Sequence, residues 1–473
     1  MPFNSLIFIV FFLVFVSIYY SVPSGSKKIY LCLIGSYIFY SYAGITSLFF
    51  LITISLITYT GALILKNKKE KITLYLSIVS IVLILLSSKY LEPIKYFIDK
   101  EENLSNLKVN LFAVPIGISF YALQAISLLV DIYNAKYKSE LSLKNTALFL
   151  CFFPQSLAGP IHRAHELIPQ FSHYKPIDVY KIITGFKNLL FGFFCKLIIA
   201  DKIAIVISPI FSKWSEADGL SLFIATLLYS LQIYFDFWGY SLIAIGLGRI
   251  LGFNIKTNFN HPYMALTFRD FWHRWHISLS QWMRDYIYIP LGGRKKGYTY
   301  FGVAIFTTFV ISGLWHGLTY NFLLWGVIHA LLYLLEAVLL KRKTVLHVGS
   351  NVAAVIRIIR RVIFFIVISI TWLVFRIEEL PVLQDIIKNI LHFEGWSLEV
   401  AYSYFLTDVN VIYITIILTT FLLSSTSFIK RKLNSVPITN YGRFSDSLFI
   451  CTCLFCVIIL GDIGTQEFLY FRF

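Results

Sequence analysis

Charge is scarce in this chain: Asp, Glu, Lys and Arg make up 14% of its 473 residues, against 58% hydrophobic residues. So little charge excludes an intrinsically disordered chain, which must be polar to stay solvated. No water-facing surface could carry the 44 phenylalanines, 30 tyrosines and 9 tryptophans. Cysteine is scarce as well. Cys32, Cys151, Cys195, Cys451, Cys453 and Cys456 lie mostly inside apolar runs, where thiols act as small hydrophobes, so no disulfide framework of a secreted domain is present. Cys453 and Cys456 have CxxC spacing without a nearby His or carboxylate, and no metal site is expected. There is no internal repeat, which speaks against a transporter built from two related halves, and no low-complexity linker. What is left is an all-α polytopic membrane protein, read as one membrane domain over 1–473.

Acidic residues are the rarer sign, 25 against 41 Lys and Arg, for a net charge of +16. The excess is not a nucleic-acid patch, because it is parcelled out between apolar runs: Lys66, Lys68, Lys69 and Lys71; Arg294, Lys295 and Lys296; Lys341, Arg342 and Lys343; Lys430, Arg431 and Lys432. This is the pattern of short inner loops. Lys27 and Lys28 follow the first apolar run rather than precede it, so no cleavable signal is expected and the first helix stays. Placing them on the same inner side as Lys66–Lys71 puts the amino terminus outside.

Apolar stretches of roughly 18 residues or more mark helices able to cross hydrocarbon. They fall near 3–20, 29–43, 45–65, 72–89, 110–131, 183–207, 219–236, 299–314, 319–340, 358–376, 409–429 and 446–462, for about 11–13 crossings. Two shorter pieces, 145–158 and 241–251, are interrupted by Pro or Gly and read as re-entrant or half-buried helices.

The long polar stretch lies between about Tyr234 and Ala330. Residues 267–285 open with Thr267 and Asp270 in capping-box spacing and predict one amphipathic helix at the interface or along a water-filled cavity. Spacing puts Trp272, His276, Leu279 and Met283 on one stripe and Phe271, Trp275 and Trp282 on another. His273 reads as an interfacial residue, whereas His276 sits on the apolar side, where an imidazole needs a specific partner. Ser312-Gly-Leu-Trp-His-Gly317 places His316 at membrane depth between two glycines that admit a backbone or a substrate. From the residues alone His316 is equally a base for a hydroxyl or a histidine tied to a carbonyl of a neighbouring helix. His329 reads as a packing or supporting histidine. Asp236 is either a buried orienting carboxylate or a group in water at a helix mouth. Arg294, Lys295 and Lys296 form a flexible basic loop, an ordinary inner loop or a contact for the phosphates of a cytosolic cofactor.

Seven segments together resemble the membrane-bound O-acyltransferase family, in particular its bacterial alginate O-acetyltransferase branch. They are Phe153-Pro-Gln-Ser-Leu-Ala-Gly-Pro-Ile161, Tyr234-Phe-Asp-Phe-Trp-Gly-Tyr-Ser241, Ala244-Ile-Gly-Leu-Gly-Arg249, Asn258-Phe-Asn-His-Pro-Tyr263, Phe271-Trp-His-Arg-Trp-His-Ile-Ser-Leu-Ser280, Arg284-Asp-Tyr-Ile-Tyr-Ile-Pro-Leu-Gly-Gly293 and Gly313-Leu-Trp-His-Gly317. The signature core covers about 150–340. The resemblance implies helices ringed around a central funnel, His316 as the catalytic histidine and His276 as the second signature residue; Trp315, Trp275, His329 and Asp236 are read beside them as substrate contacts or supports. It implies no bound cofactor, acetyl-CoA as acyl donor, a multi-pass location in the bacterial inner membrane, and a hydrolase-like partner outside that O-acetylates a polysaccharide such as an alginate-like polymer or peptidoglycan. D-alanyl transfer to teichoic acid is the alternative within the family. A transporter or flippase with a histidine proton relay is the non-enzyme alternative.

Overall fold

A backbone in hydrocarbon has no water to bond to, so apolar runs fold into helices that satisfy themselves. The computed structural model describes residues 1–23, 25–102, 115–156, 159–172, 176–339, 350–425, 427–436, 440–461 and 468, and among these there is no strand. The helices are α1 (Leu6–Ser21), α2 (Ser26–Ser41), α3 (Ile45–Lys68), α4 (Lys71–Glu102), α5 (Ile118–Tyr133), α6 (Leu143–Cys151), α7 (Phe153–Ser156), α8 (Ala164–Ser172), α9 (Val179–Phe193), α10 (Asp201–Ser212), α11 (Gly219–Ile250), α12 (Phe268–Arg274), α13 (Ile277–Met283), α14 (Tyr298–His316), α15 (Tyr320–Leu339), α16 (Ser350–Arg376), α17 (Leu380–Leu391), α18 (Leu398–Phe405), α19 (Asp408–Ser425), α20 (Ser427–Asn434) and α21 (Asn440–Leu460). The chain forms two compact units, 1–186 with 243–256, and 187–242 with 257–473.

In the first unit α3 shows why a membrane helix needs no polar face. Ile45, Phe49 and Leu56 are exposed, as lipid-facing side chains are. The hydroxyls of Ser55 and Thr58 donate back to the carbonyls of Leu51 and Ile54 at 2.7 and 2.6 Å, so they carry no unmet polarity inward. The helix α6 stops at Phe152, and one further turn, α7, follows; the interruption expected at 145–158 is there. Behind it His162, buried, accepts the Lys256 N–H at 3.2 Å, while Lys256 and Glu166 form an ion pair.

Among the described residues seven helices are long and apolar enough to cross a membrane, eight if the bent pair Leu398–Phe405 and Asn410–Ser424 is one crossing. This is fewer than the 11–13 apolar runs suggest. The runs at 3–20, 29–43 and 110–131 make helices of only 16 described residues each. The run at 183–207 carries Lys196, Asp201 and Lys202 and passes through a π-helical segment, Phe194–Ala200, between α9 and α10. The piece at 241–251 is not re-entrant. It continues the run at 219–236 as the single 32-residue helix α11. Glycine was the misleading signal: a Cβ at Gly248 would stand 2.5 Å from the Ile255 side chain, so this glycine is a packing notch in an unbroken helix. The basic cluster Lys341–Lys343 lies outside the described residues.

In the second unit α14 and α15 pack as an antiparallel hairpin whose backbones nearly touch. A Cβ at Gly313 would stand 2.3 Å from the Phe322 carbonyl, and one at Gly326 2.6 Å from the Phe309 carbonyl. The space left by Gly313 is therefore filled by backbone, not held open for a substrate. Gly313→Ala is expected to destabilise the protein by about 1–3 kcal/mol through forced separation of the two helices. Gly302→Ala, on the same helix with nothing within 4 Å of the added Cβ, is expected to leave stability unchanged or slightly raised. Thermal unfolding of both variants in detergent checks the pair.

Candidate active site

His316 is the last residue of α14, where the helix ends against the tight hairpin, and it is buried. Four rings enclose it: Trp315, Phe375, Trp325 and Phe322, with centroids at 4.8, 5.0, 5.7 and 6.1 Å. An imidazole in such a box is shielded from bulk water, which strengthens any charge interaction it makes during a reaction.

His276 reaches the same place from a different segment. The predicted helix over 267–285 is two helices, α12 and α13, broken at Trp275–His276, and His276 itself has left-handed backbone at φ 41°, ψ 53°. The stripes drawn across that break do not exist as continuous faces. The break is made by Asn258. Its carbonyl accepts the Ile277 N–H at 2.9 Å, its side-chain oxygen accepts the Ser278 N–H and hydroxyl at 3.3 and 2.6 Å, and its amide donates to the Ser241 hydroxyl at 3.3 Å. A non-glycine residue in left-handed geometry costs roughly 1–3 kcal/mol and persists only where surroundings enforce it. Here the Asn258 clamp enforces it. The capping reading at the start of α12 holds, since Thr267 accepts the Asp270 N–H at 3.1 Å.

The result is two histidines packed near one indole, that of Trp315. The His276 ring lies 6.3 Å from Trp315 and, edge to face, 4.6 Å from Phe237. Burial holds the His276 imidazole far below its ordinary range, at about 3, so it is neutral at physiological pH.

The other predicted residues separate into support and surface. His329 bonds through Nε2 to the Thr371 hydroxyl at 3.1 Å and packs on Trp325 at 4.7 Å, which places it one ring away from His316. Trp275 is buried against Trp372 at 4.7 Å and Phe271 at 5.6 Å, part of the aromatic layer under His276. His273 is exposed and bonds the Arg269 carbonyl at 2.6 Å, an interfacial role. The stretch Arg294–Lys296 is an ordered 3-10 turn rather than a flexible loop; Arg294 lies over Tyr298 and Phe301 at 6.0 and 5.8 Å. A solvent-open recess of about 180 Å³ in this unit is lined by Tyr234, His261, Pro262, Tyr263, Met264, Phe421 and Ser424, none of them a predicted site residue.

Asp236 is a buried paired carboxylate, not a group in water at a helix mouth. The π turn delivers the Lys196 ammonium between two carboxylates, 2.7 Å from Asp236 and 2.8 Å from Asp201, all three side chains being at most 7% exposed. A π turn inserts a residue into the helical repeat and is common where function fixes a side chain. Lys196, Asp201 and Asn258 were absent from the residues singled out as candidates. The signal for the first two was available, since charges inside an apolar run are costly and imply partners.

A many-helix membrane protein with two buried histidines packed near one tryptophan carries ionisable groups where a membrane enzyme would do its chemistry. The chain belongs to the membrane-bound O-acyltransferase family, whose model matches residues 32–375, and it is an O-acyltransferase of multi-pass membrane type. It is 33% identical over 411 residues to a protein of Pseudomonas aeruginosa named probable alginate O-acetylase, covering 84% of this chain and 76% of the relative. It is 31% identical over 311 residues to the peptidoglycan O-acetyltransferase of Helicobacter pylori, covering 60% and 58%. It is 30% identical over 226 residues to the teichoic acid D-alanyltransferase of Bacillus subtilis, covering 46% and 57%. Family membership displaces the transporter alternative.

Two outcomes test this site. Lys196→Met leaves two buried carboxylates facing each other and is expected to cost about 3–5 kcal/mol, whereas removing all three charges (Lys196→Met, Asp201→Asn, Asp236→Asn) recovers most of that loss; thermal unfolding of the two proteins decides. For His276, the unfolded chain takes up a proton below pH 6.5 and the folded chain does not, so the stability due to its neutral burial is complete above pH 6.5 and falls away as pH drops toward 3. His276→Gln is expected to flatten the decline of melting temperature between pH 6.5 and 4.5.

Proposed function

We propose that the chain carries an acetyl group from cytosolic acetyl-CoA to a hydroxyl on the outer side of the bacterial inner membrane, for O-acetylation of a cell-surface polysaccharide. The observation that carries this reading is the meeting of His316 and His276 on Trp315 within the buried aromatic box. The relatives named for alginate and peptidoglycan O-acetylation support the acetyl group and the polymeric acceptor.

His316 acts as the base. Its neutral imidazole takes the proton of the attacking hydroxyl as that oxygen bonds to the thioester carbonyl carbon; the tetrahedral intermediate then expels the CoA thiolate, which takes the proton back from the imidazolium. His276 orients the thioester or stabilises its oxygen, a contribution that counts only where it is stronger in the transition state than before it. The outward acceptor is a hydroxyl of a hydrolase-like partner, which passes the ester to the polymer. Arg294, Lys295 and Lys296 are the inner basic contacts for the CoA phosphates. Lys27, Lys28 and the Lys66–Lys71 cluster are on the cytosolic side, and the amino terminus is outside. A reporter fused after Lys69 that is active only outside overturns that topology.

The chemical test compares base-released acetate from purified sacculi and from exported polysaccharide in cells whose sole copy is wild type or His316→Ala, at matched membrane abundance. Ester in one fraction is expected to fall about 10²–10⁴-fold in the variant, which also identifies the polymer. Unchanged acetate in both fractions sinks the assignment, and loss of D-alanyl ester instead of acetate moves the chain to the teichoic acid reaction.

A further inference from the structure

We infer that Glu336 is a positioning residue for acyl transfer, fixing where His276 sits relative to His316. The inference rests on the roles given above to the two histidines.

They stand on separate stretches of chain, forty residues apart, and neither is covalently close to the other. One face of α15 bridges them. Phe322, Trp325, His329, Tyr333 and Glu336 recur at intervals of three and four residues, so they line a single side of the helix. At the start of that face, Phe322 and Trp325 wall His316. In its middle, Trp325 and His329 hold Trp272 of α12 at 5.7 and 5.1 Å. At its end, about 16 Å further along the axis from Trp325, the Glu336 carboxylate accepts the backbone N–H groups of Phe268 and Arg269, the latter at 3.3 Å. The short α12 then leads straight into Trp275 and His276, and His276 returns to Trp315, the neighbour of His316.

This is a closed circuit: His316, the face of α15, Glu336, α12, His276, Trp315. A seven-residue helix has no stability of its own, so α12 is only as fixed as its attachments. These are the aromatic packing of Phe268, Phe271 and Trp272 along its length, the Asn260 N–H on the Arg274 carbonyl at 3.0 Å at its end, and the polar contacts at its first turn. There Thr267 meets one N–H and Glu336 two. Carboxylate bonds to helix-start N–H groups are charge-assisted and aligned with the helix dipole, so they outweigh neutral caps. A half-buried carboxylate in a membrane-crossing helix is costly, and this contact is the compensation. Loosening it frees the α12 start to slide along α15 and carries His276 off its place beside Trp315.

The test is a double-mutant cycle on ester formation, read as base-released acetate from cells whose sole copy is wild type, Glu336→Ala, His276→Ala or both, at matched membrane abundance. Glu336→Ala is expected to lower ester formation at least tenfold in the wild-type background and less than twofold where His276 is already gone, because no imidazole remains to be placed. Equal fold-losses in both backgrounds, with His276→Ala itself impaired, overturn the inference and leave the function intact. A fully active His276→Ala overturns the role of that histidine and the inference with it. If Glu336→Ala fails to accumulate, Glu336→Gln, which keeps one acceptor oxygen, runs through the same cycle with an expected loss of two- to fivefold. If His276→Ala makes no measurable ester, trypsin cleavage after Arg269 and Arg274 in membrane vesicles is the readout. It is expected to be at least fivefold faster in the Glu336 variant, and unchanged cleavage overturns the inference.

Discussion

Hydrocarbon offers a polar group nothing, and a polar atom carried into such a bundle must bring its partner along. That one constraint explains most of what is unusual in the second unit. Lys196 enters with two carboxylates. Asn258 spends its carbonyl, its side-chain oxygen and its amide on three different groups. His329 brings Thr371, and the start of α12 is met by Thr267 and Glu336. Each of these contacts joins residues that are remote in sequence or that flank a local break in helical geometry. Satisfying polarity and fixing the site are thus the same act.

Placement by rings complements placement by hydrogen bonds. His316 and His276 are held mainly by aromatic edges and faces, with Trp315 common to both. Such packing restricts the planes of the two imidazole rings. The hydrogen-bonded framework lies one layer out, on the backbone around His276 and at the far end of α15. A transferase needs a site that stays assembled while substrates come and go, and this division of labour supplies one.

What was legible in the sequence were features carried by near neighbours. The Thr267 cap needs only Asp270, three residues on, and both are where spacing puts them. The apolar runs at 299–314 and 319–340 became α14 and α15 almost to the residue. What was not legible depended on partners far along the chain. The break at His276 is made by Asn258, eighteen residues earlier, and a periodicity count runs straight over a single left-handed residue. Lys196 and Asp201 vanished into the average hydropathy of a long run. Asp236 was noticed, yet its environment stayed open because nothing local names Lys196 as its partner. Glycine misled in α11, where Gly248 marks close packing against Ile255 and the helix continues through it.

The π segment Phe194–Ala200 has a consequence for how this stretch of chain can vary in length. Each residue turns a helix by about 100°, so deleting one between 194 and 200 restores an ordinary α repeat at the expense of the side-chain directions. Lys196 and Asp201 then point about a quarter-turn apart from their present bearing, and Asp236, on another helix, does not follow. The length of this seven-residue stretch is thus tied to the Lys196 charge it carries, because only the present spacing sets that ammonium against both Asp201 and Asp236.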